Sequence, residues 1–165
     1  MALIHETLYQ SSDMACFRLA PYVRRLSDSL LRAYGVEPGR VTLKTHLDEL
    51  ALPLDSAIPC GLIFHELLSN ALKHAFPDGQ YGEISLELRA EPDQHATLRV
   101  ADTGVGVPEG LDFRRTDSLG LQLVCALTEQ IEGTITMERR GGTAFTLTFP
   151  LPSARAGEGA NGQPQ

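Results

Sequence analysis

One stretch restricts the fold of this chain more than any other: DSAIPCGLIFHELLSNALKHAF, from Asp55 to Phe76. Ile58, Leu62, Ile63, Leu67, Leu68, Ala71, Leu72 and Ala75 recur at helical spacing and cover most of the circumference. A helix that apolar cannot lie on a surface; it must be packed by other elements. Asp55 or Ser56 can cap its start, with Pro59 read as still within the first turn, and Pro77-Asp78-Gly79 ends it. Yet Glu66, Asn70 and Lys73 fall within one stripe of it, at i, i+4 and i+7. A carboxylate, an amide and an ammonium on a buried helix need partners. Taken alone, the stripe leaves two readings open: a helix edge with a snorkelling lysine, or a site.

The flanking segments supply what could cover such a helix. Val23, Leu26, Leu30 and Ala33 predict a helix over 21–34, stopped by Gly35. VTLKTHL (41–47), EISLELRA (83–90), ATLRVAD (96–102), TITMERR (134–140) and TAFTLTFPL (143–151) alternate in period two and predict strands. Glu91 to Gln94 and Gly141-Gly142 read as hairpin turns. Ser118 can cap a third helix, LGLQLVCALTEQI, which Gly133 is expected to terminate. The order predicts an α/β (α+β) two-layer sandwich: a mixed sheet of about five strands covered on one face by about three helices.

Composition narrows the class. With 165 residues, 42% hydrophobic and 21% charged, the chain suits one globular domain. It contains no apolar run of transmembrane length and no visible signal peptide, so no direct membrane contact and a cytoplasmic setting are expected. Cys16, Cys60 and Cys125 form no CxxC pair, and the odd count suits reduced thiols. A net charge of −7 argues against general nucleic-acid binding, but not against one anion at a local positive site. The stretch 153–165 is small, polar and rich in Gly and Pro, and reads as a disordered tail.

Three further segments carry chemistry. ADTGVGVP (101–108) puts Asp102 at a strand end, followed by Gly104 and Gly106, which let backbone approach a ligand. A carboxylate there, an acceptor only, suits an exocyclic amine. SLGLQLV (118–124) is a capped helix start whose free N–H groups and dipole favour phosphate. GGTAF (141–145) either brings the Thr143 hydroxyl to a ligand or makes a hairpin. Each motif alone is common in turns and caps, and none is a Walker A loop or a dinucleotide fingerprint.

Their joint order is not common. HELLSNALKHAF, DTGVGVP, SLGLQLV and GGTAF, each on the expected element, resemble the N, G1, G2 and final Gly-Thr boxes of the Bergerat-fold (GHKL) ATPases. That superfamily includes gyrase, Hsp90, MutL and sensor histidine kinases. The ATP-binding domain of sensor histidine kinases is the nearest likeness, and IHETLYQS, IPCGLIFHELLSNALKHAFPDG and DSLGLQLV resemble the subfamily related to the HWE kinases. The resemblance spans roughly residues 3 to 151. It implies ATP and Mg²⁺ as ligands, with Asn70 and Glu66 at the metal. Glu66 would polarise a magnesium-bound water or orient the γ-phosphate. Lys73 would pair with phosphate, making Glu66, Asn70 and Lys73 the catalytic set. His74 would sit near phosphate or sugar, Asp102 would take the adenine amine, and Thr143 would support it. Gly104, Gly106 and Val107 would close over the base, a lid would run from about Val107 to Ser118, and Ser118, Leu119, Gly120 and Leu121 would face phosphate.

The resemblance also implies partners: a phosphoacceptor histidine on a dimerisation hairpin, then a response regulator. Residues 1–12 read as the end of that hairpin and 13–152 as the ATP-binding kinase domain, monomeric by itself. Departures are visible. The chain has no Trp, where the HWE signature has one. Phe113 is a poor match to a lid Phe box, and Ser118 stands where G2 has its first glycine. His46 and His95 read as solvated, and Arg114 or Arg115 reaching a phosphate is a minor alternative. An anti-sigma-factor type serine kinase of the same fold, and a non-catalytic nucleotide-binding interaction module, are the competing readings.

Overall fold

The structure is a computed structural model and describes residues 16–152. The expectations for 1–12 and 153–165 lie outside the described residues. The elements are β1 (Cys16–Arg18), α1 (Leu19–Ala33), β2 (Val41–Leu47), β3 (Ala51–Pro53), α2 (Leu54–His74), β4 (Gly82–Ala90), β5 (His95–Asp102), α3 (Leu119–Gln130), β6 (Thr134–Glu138) and β7 (Thr143–Pro150). Short 3-10 turns occupy Pro77–Gly79 and Phe113–Arg115.

Five strands form one mixed sheet in the order β2-β4-β5-β7-β6. Only β2 and β4 run parallel, with Leu43 opposite Ile84. Their connection runs through α2, since parallel neighbours need a crossover long enough to return the chain. The alternation read from the sequence is the alternation of burial: Ile84, Leu86 and Leu88 on β4, and Leu98 on β5, are fully buried, and Leu147 and Phe149 continue the layer on β7. Against that layer lies α2, with Ile63, Phe64, Leu67 and Leu68 at most 2% exposed. The two-layer sandwich with a five-stranded sheet and three helices is as expected.

Four local features differ from the sequence reading. A small antiparallel sheet of β1 and β3 pairs Phe17 with Leu52; three-residue strands carry too little alternation to be seen in sequence. Helix α2 begins at Leu54, with Pro53 at the cap and no side-chain cap bond, so Asp55 sits in the first turn rather than capping it. Pro59 is therefore one turn deeper than read, and α2 lacks the bond that the Asp55 carbonyl would accept there. Helix α3 ends in a Schellman arrangement, with Gly133 N–H bonding Thr128 O at 2.9 Å and Glu132 N–H bonding Glu129 O at 3.0 Å. The left-handed residue is Glu132 (φ 57°), not Gly133. Gly133 is needed one place later for space, since a Cβ there would lie 2.9 Å from Leu147 Cδ1.

Cys16 is exposed, Cys60 buried and Cys125 half-buried, all as free thiols. Burial pushes the Cys60 thiol up to about 12, which leaves it inert at neutral pH. Among the described residues no helix is long and apolar enough to cross a membrane.

Candidate functional site

The C-terminal half of α2, the end of β5, the start of α3 and the start of β7 converge on a cavity of about 440 Å³. Its inner wall is apolar, from Leu67, Ala71, Val100 and Phe145, and its polar groups are few: Asn70, His74, Asp102, Ser118 and Thr143 among them. A mostly apolar pocket with a few convergent polar groups is the usual form of a small-molecule site.

Asp102 is the last residue of β5 and pairs across the sheet with Thr143. Its Oδ1 accepts the Gly104 N–H at 2.9 Å and the Thr143 N–H at 3.3 Å. Those two bonds fix the carboxylate, and Oδ2 takes no hydrogen bond among the described residues. Burial pushes the Asp102 carboxyl above its ordinary value, against the two N–H donors that pull it down. Desolvation outweighs the two donors, and Oδ2 is left with neither of them.

The loop after β5 is held close by main-chain and side-chain bonds. Val105 N–H donates to Ala75 O at 2.9 Å. Gly104 must be glycine for this approach: a Cβ would lie 2.1 Å from Ala75 O. Val107 N–H donates to Thr143 Oγ1 at 3.1 Å. Thr143 thus supports both Asp102 and the loop.

A second cluster borders the cavity where α2 meets the start of α3. Ser118 Oγ accepts the Leu121 N–H at 3.4 Å, as its capping role required. Gly120 lies against α2 so closely that a Cβ would be 2.6 Å from Glu66 Oε2 and 3.9 Å from Asn70 Oδ1. The amide oxygen, the carboxylate and the positive end of α3 therefore face one another. His65 Nδ1 lies 3.6 Å from Glu66 Oε1.

Of the residues singled out from sequence, Asn70, His74, Asp102, Gly106, Val107, Ser118, Leu121 and Thr143 line the cavity. Gly104 stands behind its wall, and Glu66 and Gly120 face each other beside Asn70. Lys73 is exposed and not on the wall; its Nζ sits 6.0 Å over the Tyr34 ring. Leu119 is 80% exposed, so only its main chain is suited to the role read for it. His46 is exposed beside Asp48, and His95 is half-buried beside Asp93. Phe113, a poor match to a lid motif in sequence, is 4% exposed and meets Phe145 edge-on at 5.5 Å. Arg114 reaches no cavity wall; its Nη2 donates to Ile135 O at 2.6 Å. Sequence reasoning missed the apolar wall, because Leu67, Val100 and Phe145 stand on elements read only as a buried helix and alternating strands.

The family model described as histidine kinase-, DNA gyrase B- and HSP90-like ATPase matches residues 56–153. The chain belongs to this family. The matched span holds every site residue named above. The chain is 28% identical to blue-light-activated histidine kinase 2 of Erythrobacter litoralis over 155 residues, covering 88% of this chain and 44% of that protein. It is 31% identical to the sensor histidine kinase PdtaS of Mycobacterium tuberculosis over 156 residues, covering 92% of this chain and 30% of that one. The chain thus spans less than half the length of these relatives. The solved histidine kinase domain of a blue-light-activated histidine kinase from Erythrobacter litoralis superposes with a TM-score of 0.82 at 25% identity, over 90% of this chain and 70% of that one. Within that family, the domain is similar to those of histidine kinases.

Proposed function

We propose that this chain is the ATP-binding catalytic domain of a sensor histidine kinase of the HWE-related group, spanning residues 13–152. In the whole kinase it donates the γ-phosphoryl group of ATP to a histidine on a dimerisation hairpin, for relay to a response regulator at the cytoplasmic side. The observation that carries the reading is Asp102 on the wall of an apolar cavity, with one carboxylate oxygen free of hydrogen bonds among the described residues and the Asn70–Glu66–α3 cluster at the border.

The adenine ring enters between the Ala71 and Val107 sides, and its exocyclic N–H donates to Asp102 Oδ2. Asp102 accepts and cannot donate, so a keto group in that place finds no partner. The polyphosphate then runs past Asn70 toward the start of α3, whose first N–H groups have no helical acceptor. His74 stands near it, and Lys73, after leaving Tyr34, offsets its charge. The donor set fits Mg²⁺: Asn70 and Glu66 offer hard oxygen ligands beside a glycine that leaves room for an ion and phosphate. When bound, the ion supplies charge neutralisation on the phosphate oxygens. In the transfer, the bond from the γ-phosphorus to the bridging oxygen breaks and one to an imidazole nitrogen forms, and ADP leaves. This chain's part is to bind, align and exclude water.

Calorimetric titration with a non-hydrolysable ATP analogue tests the reading. Binding should strengthen with Mg²⁺, and Asn70→Ala should remove that gain while the thermal midpoint holds. No binding by the unaltered chain, or an undiminished Mg²⁺ effect in Asn70→Ala, would refute it.

A further inference from the structure

The wall of the cavity opposite α2 is a loop, residues 103–118, and a loop of that length pays an ordering cost unless something holds it. Two arginines outside the cavity hold it here. Arg139 Nη2 donates to the Leu111 carbonyl at 2.6 Å. Leu111 is part of the cavity wall. Arg114 Nη2 donates to the Ile135 carbonyl on β6 at 2.6 Å, and its guanidinium lies 4.5 Å over the Phe113 ring. Phe113 is thereby pressed against Phe145, itself a wall residue. Both bonds run from a charged donor to a main-chain carbonyl, the stronger kind of protein hydrogen bond. One ties the loop to the β6–β7 turn and the other ties it to the open edge of β6, so the loop is fixed to the sheet's outer edge from two sides.

We propose that Arg139 and Arg114 are positioning residues for the nucleotide base: they hold Leu111 on the wall, and Phe113 behind it, in place, so that base binding need not order the loop. This rests on the reading of the cavity as the base pocket. Neither arginine touches the ligand. Removing a tether returns the ordering cost to the binding step, and that cost falls on the base, not on the phosphates.

The test compares two probes, adenosine and a non-hydrolysable ATP analogue, against Arg139→Ala, Arg114→Ala and Arg139→Lys, with the thermal midpoint of each chain recorded. Expected is a loss of about tenfold for each alanine variant, equal for both probes, at a midpoint close to that of the unaltered chain. Arg139→Lys keeps the charge but loses the fixed fork, and should recover part of the loss. A loss confined to the ATP analogue would overturn the proposal, because it would put the arginine on phosphate. Unchanged affinities in both alanine variants would also overturn it. If the unaltered chain bound neither probe, the base-pocket reading itself would fall, and this proposal with it.

Discussion

The two ends of the cavity are built on opposite plans. At the end we read as the base end the named groups are held within the protein: Asp102 Oδ1 takes two N–H donors, Thr143 Oγ1 takes Val107, and Ala75 O takes Val105, while Asp102 Oδ2 takes no hydrogen bond among the described residues. At the end we propose for the phosphates the groups are held less firmly. Glu66 and Asn70 face the start of α3 with no hydrogen bond between them, and Lys73 rests over a tyrosine ring. A neutral heterocycle supplies one donor and much apolar surface, so a finished pocket with one open acceptor suits it. A polyphosphate brings charge and a cation, so its end is completed only by the ligand.

The sharpest way to break this contrast is at Gly104. A Cβ there meets main chain, Ala75 O and the Ala75 carbonyl carbon, neither of which can move without shifting the end of α2. Gly104→Ala should lower stability by at least about 3 kcal/mol. Urea unfolding followed by circular dichroism measures it. A loss under about 1 kcal/mol would show that the base end is softer than the geometry says.

Next in size is Asp102→Asn. The asparagine oxygen can keep the Gly104 and Thr143 bonds, but its amide then points donors at the ligand amine. Adenosine affinity should fall about a hundredfold, and preference over guanosine should shrink. The same residue gives a pH signature with two signs. Its folded-state value is raised by burial, so its stabilising contribution is full below the ordinary aspartate value, near pH 4, and is lost as pH rises through the folded value. Base binding runs the other way, because protonation removes the acceptor. Lowering the pH from neutral toward about 4 should therefore weaken adenosine binding while protonation of Asp102 favours the fold. Asp102→Asn should flatten both trends, and a flat adenosine profile in the unaltered chain would count against Asp102 as the acceptor.

How far the sequence was legible follows the same division. The alternation places Asp102 and Thr143 at strand ends, and the structure pairs them across the sheet; the base role proposed for them comes from the resemblance, not from their spacing. The five main strands and α2 were readable because burial on one face imposes a period. Less visible were features fixed by long-range contact. Glu132 takes the left-handed place because Gly133 is needed beneath Leu147 and Thr148. Pro59 sits deeper in α2 because a proline, Pro53, stands at the cap where a polar residue was expected. In sequence Arg114 reads as a solvated charge and Arg139 as the end of a strand segment. Their carbonyl partners lie 21 and 28 residues away, and nothing local marks them.

The smallest effect is the most discriminating. Gly120→Ala repeats the Gly104 substitution at the other end of the cavity, and the contact it makes is of a different kind. Its Cβ would come 2.6 Å from Glu66 Oε2, the tip of a flexible side chain that can swing aside. Stability should change by less than about 1 kcal/mol, since alanine is a good helix former. The displaced carboxylate, however, no longer stands beside Asn70 and the start of α3. The Mg²⁺-dependent part of ATP-analogue binding should then fall several-fold, on the order of 1 kcal/mol, with adenosine affinity unchanged. Titration of both ligands with and without Mg²⁺ separates the terms. An equal loss for adenosine would mean that the two ends are mechanically one, and that the base pocket feels the position of α3.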